Sequence, residues 1–252
     1  VNDANISQRI RTERLAGVWL SLPSPEVAEV VAGSDVDFVV ADTEHTAASV
    51  ETVEEMVRAV ETAPGDTVPF VRTAWNDHVR IKRLLDTGAA GIVAPQVETA
   101  AEAETFVEAT RYPPEGRRGL AASRASAYGR ELDEYYRTAD ERITTVVQIE
   151  TAAAVGNVAE ISAVDGLDSL FVGPADLSAS MDCFGEYESG VFREAITRVL
   201  EESEVPVGTL AVVPEEIDYW DELGFDYQVL GADTSFLQQG VDAALSRYSP
   251  GE

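Results

Sequence analysis

The chain has 252 residues and a formal net charge of −28, from 18 basic and 46 acidic side chains. That balance excludes a phosphate-backbone binder, which needs a basic face to displace counterions. No apolar run of about 18 residues is present to span a bilayer, and the single cysteine, Cys183, excludes an intrachain disulfide and a thiolate metal cluster.

In chain order, short β-branched apolar runs alternate with amphipathic stretches. The first run, 17–22, carries Trp19 and continues as Ser21-Leu22-Pro23-Ser24-Pro25-Glu26, with no glycine-rich phosphate turn before the helix predicted at 25–32. A strand at 38–42 ends in Asp42-Thr43-Glu44-His45 and leads to a helix at 50–61. Strands at 68–72 and 91–96 end on Arg72 and on Pro95-Gln96, and helices follow at 77–86 and 100–110. The irregular stretch 111–129 holds Pro-Pro, four arginines and three glycines, and is expected to be a surface excursion placed to cover the barrel mouth. A strand at 144–149 exits through Gln148-Ile149-Glu150 to a helix at 152–163, and one at 169–172 exits through Gly173-Pro174-Ala175-Asp176. Then come a helix at 191–202, a strand at 205–210 ending on Leu210, a helix at 214–223, a strand at 227–230 before Gly231-Ala232-Asp233, and a last helix at 235–246.

Eight alternating units in this length predict a closed parallel (β/α)8 TIM barrel, one α/β domain over 1–252, with an open doubly wound sheet as the runner-up. No Walker A, GxSxG or low-complexity linker interrupts it. The N-terminal stretch 1–14 is polar and mixed in charge rather than a signal peptide, so the expectation is a soluble, cytoplasmic protein without membrane or nucleic-acid partners. With 45% hydrophobic residues the acidic excess reads as a shell on a folded protein, suited to concentrated salt. There the Debye length falls to about 3 Å and self-repulsion is screened.

In such a barrel chemistry gathers at the carboxyl ends of the strands. Two histidines cannot make a three-histidine zinc site, and His78, in the first turn of a helix, reads as an exposed helix residue. A metal would rest on carboxylates: Glu150 and Asp176 are the best oxygen ligands and suit Mg²⁺ or Mn²⁺, with separate structural roles the competing reading. Asp42, three residues before His45, is close enough to fix the imidazole tautomer of a general base; a helix cap beside a surface histidine explains the same spacing. Arg72 suits a small carboxylate or a developing oxyanion.

These residues resemble the HpcH/HpaI aldolase family of metal-dependent class II pyruvate aldolases. The shared pieces are Gly17-Val18-Trp19, Asp42-Thr43-Glu44-His45, Val71-Arg72, Gly91-Ile92-Val93-Ala94-Pro95, Arg111-Tyr112-Pro113-Pro114-Glu115-Gly116-Arg117-Arg118-Gly119, Gln148-Ile149-Glu150-Thr151 and Gly173-Pro174-Ala175-Asp176-Leu177-Ser178. The resemblance implies reversible cleavage of a 4-hydroxy-2-oxo acid to pyruvate and an aldehyde, with a divalent ion (Mg²⁺, Mn²⁺ or Co²⁺) on Glu150 and Asp176. It implies His45, supported by Asp42, as the base, Arg72 as the enolate stabiliser, and Trp19, Gln148, Gly173, Ala175 and Leu210 as the substrate pocket. It also implies a homo-oligomer, trimer or hexamer, whose last helix is exchanged between neighbours. The apolar stripe Phe236, Leu237, Val241 and Leu245 fits that exchange, as it fits ordinary packing.

The lysine count is an independent check, because a class I aldolase needs a Schiff-base lysine and the only lysine, Lys82, falls mid-helix on the predicted outer ring. Asp182 stands where relatives often carry glycine, so the loop after Ser178 is expected to suit a different aldehyde. The alternatives are a citrate lyase β-like or malyl-CoA lyase type CoA-ester lyase, with Arg111, Arg117 and Arg118 available for CoA phosphates, and a non-catalytic keto-acid-binding barrel.

Overall fold

The computed structural model describes residues 6–248. Its eight strands are β1 (Ala16–Leu20), β2 (Phe38–Asp42), β3 (Val68–Arg72), β4 (Gly91–Ala94), β5 (Thr144–Ile149), β6 (Ser169–Val172), β7 (Val207–Leu210) and β8 (Tyr227–Ala232). They pair in sequence order, and β8 closes on β1. All pairings are parallel, as the predicted barrel requires, and nearly every strand residue is buried because helices cover the outside.

The helices are α1 (Ile6–Arg9), α2 (Pro25–Ala32), α3 (Val50–Thr62), α4 (His78–Leu85), α5 (Ala100–Thr110), α6 (Leu132–Arg142), α7 (Ala152–Gly156), α8 (Val158–Ser162), α9 (Pro174–Ser180), α10 (Gly190–Glu202), α11 (Pro214–Leu223) and α12 (Asp233–Tyr248). Sequence signals fix several starts. Ser24, Ser49, Asp77, Thr99 and Ser189 each accept a backbone N–H of the first turn, and Thr99 forms a full capping box with Glu102.

The barrel interior is filled by rings, and glycines make room for them. Gly17, Gly91 and Gly208 are the direct cross-strand partners of Phe38, Phe70 and Tyr227. A Cβ on any of the three would fall inside contact distance of the partner ring; at Gly91 it would lie 2.6 Å from Phe70 carbons. Phe70, Phe38, Tyr227, Phe171 and Trp19 follow one another with centroids 5.2, 6.0, 6.2 and 5.8 Å apart, a column of rings that ends at the upper mouth.

The lower rim is fastened by a repeated device. Asp37, Asp168 and Asp226, each one residue before a strand, accept backbone N–H bonds from Ala16 (2.9 Å), Thr145 (2.9 Å) and Val207 (2.7 Å) on the preceding strand. At the upper rim Asp233 accepts from the N–H groups of Ser21 and Leu22 at 3.0 and 2.9 Å, tying the exit of β8 to that of β1.

The structure corrects several boundaries. Helix α1 was not anticipated: at four residues it is too short for a periodic signal, yet Ile6 and Ile10 plug the bottom of the inner core beside Leu15 and Val68. Helix α6 escaped because only Ala139 of its eleven residues is buried, and α9 because it lies inside a stretch read as a strand exit. The helix predicted at 152–163 breaks at Asn157, whose side-chain amide donates to Glu98 O at 2.7 Å. The excursion at 111–129 runs from the end of α5 towards the start of β5, so it lies at the lower rim and does not cover the mouth. It is anchored there by Arg118, fully buried between Tyr112 and Tyr135 and 3.1 Å from Asp86.

Candidate active site

The carboxyl ends of β2, β3, β5 and β6 bring most of the anticipated residues to one mouth. Arg72, at the end of β3, is 7% exposed despite its charge. Its cross-strand partner is Asp42, and the two form a bidentate pair, Nε to Oδ1 at 2.9 Å and Nη2 to Oδ2 at 2.8 Å. The guanidinium lies over Trp19, 4.7 Å from the ring centroid. Its remaining nitrogen, Nη1, reaches Gln148 Oε1 at 3.4 Å and Glu44 Oε2 at 2.8 Å. Four neighbours therefore fix one cation. Burial disfavours the charge on Asp42, but Arg72 and the backbone N–H groups of Glu44 and His45 hold its carboxyl below the usual range.

This arrangement corrects one expectation. Asp42 is turned to Arg72 through both oxygens rather than to the His45 ring. His45 projects from the mouth with its side chain 70% exposed, and the carboxylate facing it is Glu44, with Oε1 3.8 Å from Nε2. Glu44 is the functional candidate that spacing arguments missed. Its signal was present: two residues past Asp42 in an extended strand exit, a side chain returns to the same side.

Glu150, just past β5, is 3% exposed. Its Oε1 accepts the Gln96 N–H at 2.6 Å and its Oε2 accepts from Gln148 Nε2 at 3.2 Å. Gln96 takes a left-handed φ of 55° to aim that N–H, strain spent on holding one carboxylate. Burial, then the nearby Glu44 and Asp176 carboxylates, push the Glu150 carboxyl up to about 7 against the pull of the Gln96 N–H and Arg72. Asp176 lies in the first turn of α9, exposed at the mouth. Gly173, the N-cap of that helix, keeps the space above Glu150 open: a Cβ there would lie 3.4 Å from Oε2 and 3.5 Å from Gln148 Nε2.

The donor set fits a hard divalent cation. Among the described residues no group of three or more His, Cys, Asp or Glu side chains is gathered to hold a metal. The pair Glu150 and Asp176 supplies two carboxylates, the coordination that Mg²⁺-type ions complete with water or substrate oxygens. Burial first, and then the Glu44 and Asp176 carboxylates, disfavour the Glu150 charge, and a bound cation would offset both.

Ala175 is exposed beside Asp176, and Leu210, at the end of β7, packs against the inner cluster that includes Trp19. His78 is exposed at the first position of α4, as expected. Lys82, on the same outer-ring helix, lies against the excursion: a Cβ on Gly119 would sit 3.5 Å from its Cδ. Arg111, Arg117 and Arg118 belong to the lower rim, where Arg118 is buried and Arg117 faces Glu108, so the cations considered for CoA phosphates are not at the mouth. Asp182 has a φ of 57°, the left-handed conformation that glycine adopts freely.

The chain matches the HpcH/HpaI aldolase/citrate lyase family over residues 15–237. It is 38% identical over 238 residues to a 4-hydroxy-2-oxo-heptane-1,7-dioate aldolase of Shigella sonnei, covering 92% of this chain and 89% of that one. It is also 38% identical over 243 residues to a hydroxypyruvate/pyruvate aldolase of Delftia acidovorans, with 94% and 89% coverage. The crystal structure of a HpcH/HpaI aldolase/citrate lyase family protein from Burkholderia cenocepacia superposes with a TM-score of 0.92 at 35% identity, covering 96% of this chain and 98% of the other.

Proposed function

This chain belongs to the HpcH/HpaI aldolase/citrate lyase family, and from that premise we propose that it is a class II pyruvate aldolase, a carbon–carbon lyase that reversibly splits a 4-hydroxy-2-oxo acid into pyruvate and an aldehyde. The observation that carries this reading is the buried Arg72, held over Trp19 by Asp42 with one nitrogen directed at Gln148 beside Glu150. A permanently charged group fixed in advance stabilises an enolate oxygen at no reorganisation cost when the C3–C4 bond breaks.

Glu150 and Asp176 would hold a divalent ion, Mg²⁺, Mn²⁺ or Co²⁺, which when bound supplies Lewis-acid polarisation of the keto acid. Trp19, Gln148, Gly173, Ala175 and Leu210 shape the pocket, and Asp42 keeps Arg72 in place. His45, at the open side of the mouth, takes the C4 hydroxyl proton as the aldehyde forms and returns it in the synthetic direction. Lys82, outside the barrel, takes no part. A CoA-ester lyase is less well supported, since the arginines weighed for CoA lie at the other rim. We also place the protein in the cytoplasm as one barrel domain that assembles into a trimer or hexamer, and read its acidic surface as an adaptation to concentrated salt.

The test is to incubate metal-stripped protein in molar KCl with 4-hydroxy-2-oxo acids of several chain lengths and to follow pyruvate with and without Mg²⁺, Mn²⁺ or Co²⁺. Pyruvate released only with metal is the expected result; no release by folded protein with any of the three would refute the reading.

A further inference from the structure

One carboxylate at the mouth lies between both halves of the proposed chemistry. Glu44 is largely buried, with its side chain 12% exposed. Oε2 lies 2.8 Å from Arg72 Nη1, an ion pair without good hydrogen-bond alignment. Oε1 lies 3.8 Å from His45 Nε2. The segment is held on both sides, since the Glu44 N–H donates to Asp42 Oδ1 at 2.9 Å and the Thr43 N–H and hydroxyl both donate to Arg72 O, at 3.1 and 2.8 Å.

We infer that Glu44 is a positioning residue shared by the enolate stabiliser and the base: Oε2 keeps Arg72 Nη1 aimed into the mouth, and the charge on Oε1, 3.8 Å from Nε2 and beyond hydrogen-bond reach, favours the His45 tautomer protonated on Nε2, leaving Nδ1 to accept the substrate proton. The inference rests on the aldolase reading and deepens it. Asp42 is turned to Arg72 and to the Glu44 N–H, and the carboxylate that faces the His45 ring is Glu44. The other charged groups around the segment are Arg72 on β3, Glu150 just past β5, Asp176 on α9, and Arg80 on α4, whose Nη2 lies 3.4 Å from Thr43 O. None of these is a carboxylate paired with the imidazole; Glu44 is. When the base takes the hydroxyl proton it becomes imidazolium, and the neighbouring carboxylate stabilises that charge in the same step in which Arg72 receives the enolate.

Two reactions separate the halves. Cleavage of a 4-hydroxy-2-oxo acid needs both enolate stabilisation and removal of the hydroxyl proton. Oxaloacetate instead loses carbon dioxide by breaking C3–C4, leaves the electron pair on the same pyruvate enolate, and is completed by protonation at C3, so no hydroxyl base is used. In the metal-loaded protein, Glu44→Gln should lower decarboxylation and lower aldol cleavage further, by about ten- to a hundredfold, the usual cost of losing a supporting partner of an active-site group. Glu44→Asp, which keeps the charge, should recover part of the cleavage.

A second readout needs neither metal nor turnover. The chain has two histidines, His45 and His78, so ring ¹⁵N spectra of metal-free protein carry two imidazoles and His78→Gln assigns them. His45 should be protonated on Nε2 in the parent and should lose that preference in Glu44→Gln. Equal losses in the two reactions, or an unchanged His45 ring signal in Glu44→Gln, would overturn the inference. If the parent releases no pyruvate with any metal, the aldolase reading fails, while the spectra still decide whether Glu44 sets the tautomer.

Discussion

Glu150→Gln should stabilise the metal-free protein at neutral and alkaline pH while abolishing turnover. Burial raises the Glu150 carboxyl from 4.5 to about 7, and the gap is worth about 3 kcal/mol. Between those values the folded state binds a proton that the unfolded chain has released, so stability falls as pH rises through the window, and the whole cost is present above about 7. Glutamine keeps the shape and an oxygen to accept the Gln96 N–H, but carries no charge to desolvate. Urea melts of the parent and variant in molar KCl from pH 4 to 8.5 isolate the effect of Glu150 and the carboxylates coupled to it, because titrations elsewhere cancel in the difference. The variant's advantage should grow by about 1.4 kcal/mol per pH unit across the window and then level off, reaching about 6–12 °C in melting temperature for a chain of this size. Saturating Mg²⁺ or Mn²⁺ should narrow it by stabilising only the parent. A difference independent of pH would refute the argument that desolvation and crowded carboxylates govern Glu150.

Gly91→Ala should cost about 1–3 kcal/mol by driving a methyl into the Phe70 ring, and Phe70→Leu should recover much of that loss in the double variant, as read by urea midpoints. Lys82→Ala should leave turnover within about twofold, and borohydride with pyruvate should trap no adduct on the parent, since imine chemistry needs a lysine at the mouth. Thermal melts should fall as KCl drops below a few tenths molar, because 28 net negative charges lose their screening; a melting temperature unchanged by salt would count against the acidic shell as a salt adaptation.

Strand positions were readable because a strand buried on both faces is a run of apolar residues, and the runs at 38–42, 68–72, 144–149 and 169–172 match the observed strands residue for residue. The residues of the mouth were readable for a related reason, since a polar side chain directly after such a run has few other places to go. Partnership was not. Whether Asp42 meets His45 three residues on or Arg72 thirty residues away depends on the register of β2 against β3, which no local pattern encodes. The side of the excursion was misjudged because its composition says surface but not which rim; the order α5, excursion, β5 does. Helices α1 and α6 bury too little to leave a stripe, so propensity and periodicity had nothing to detect.

The three aspartate fasteners at the lower rim also bear on how the barrel is reached. Each spans a short stretch of chain, 21, 23 and 19 residues, and joins β1 to β2, β5 to β6 or β7 to β8 around a single intervening helical layer. Parallel sheets are slow to assemble because their pairings close long loops, yet here three of the eight pairings are pinned at their first residues by a side chain that cannot reach if the strand slips by one. The cylinder is thereby reducible to three self-registered strand–helix–strand units, leaving the link through β3 and β4, the joint between β6 and β7, and the final seam at Asp233 as the places where long-range order has to be established.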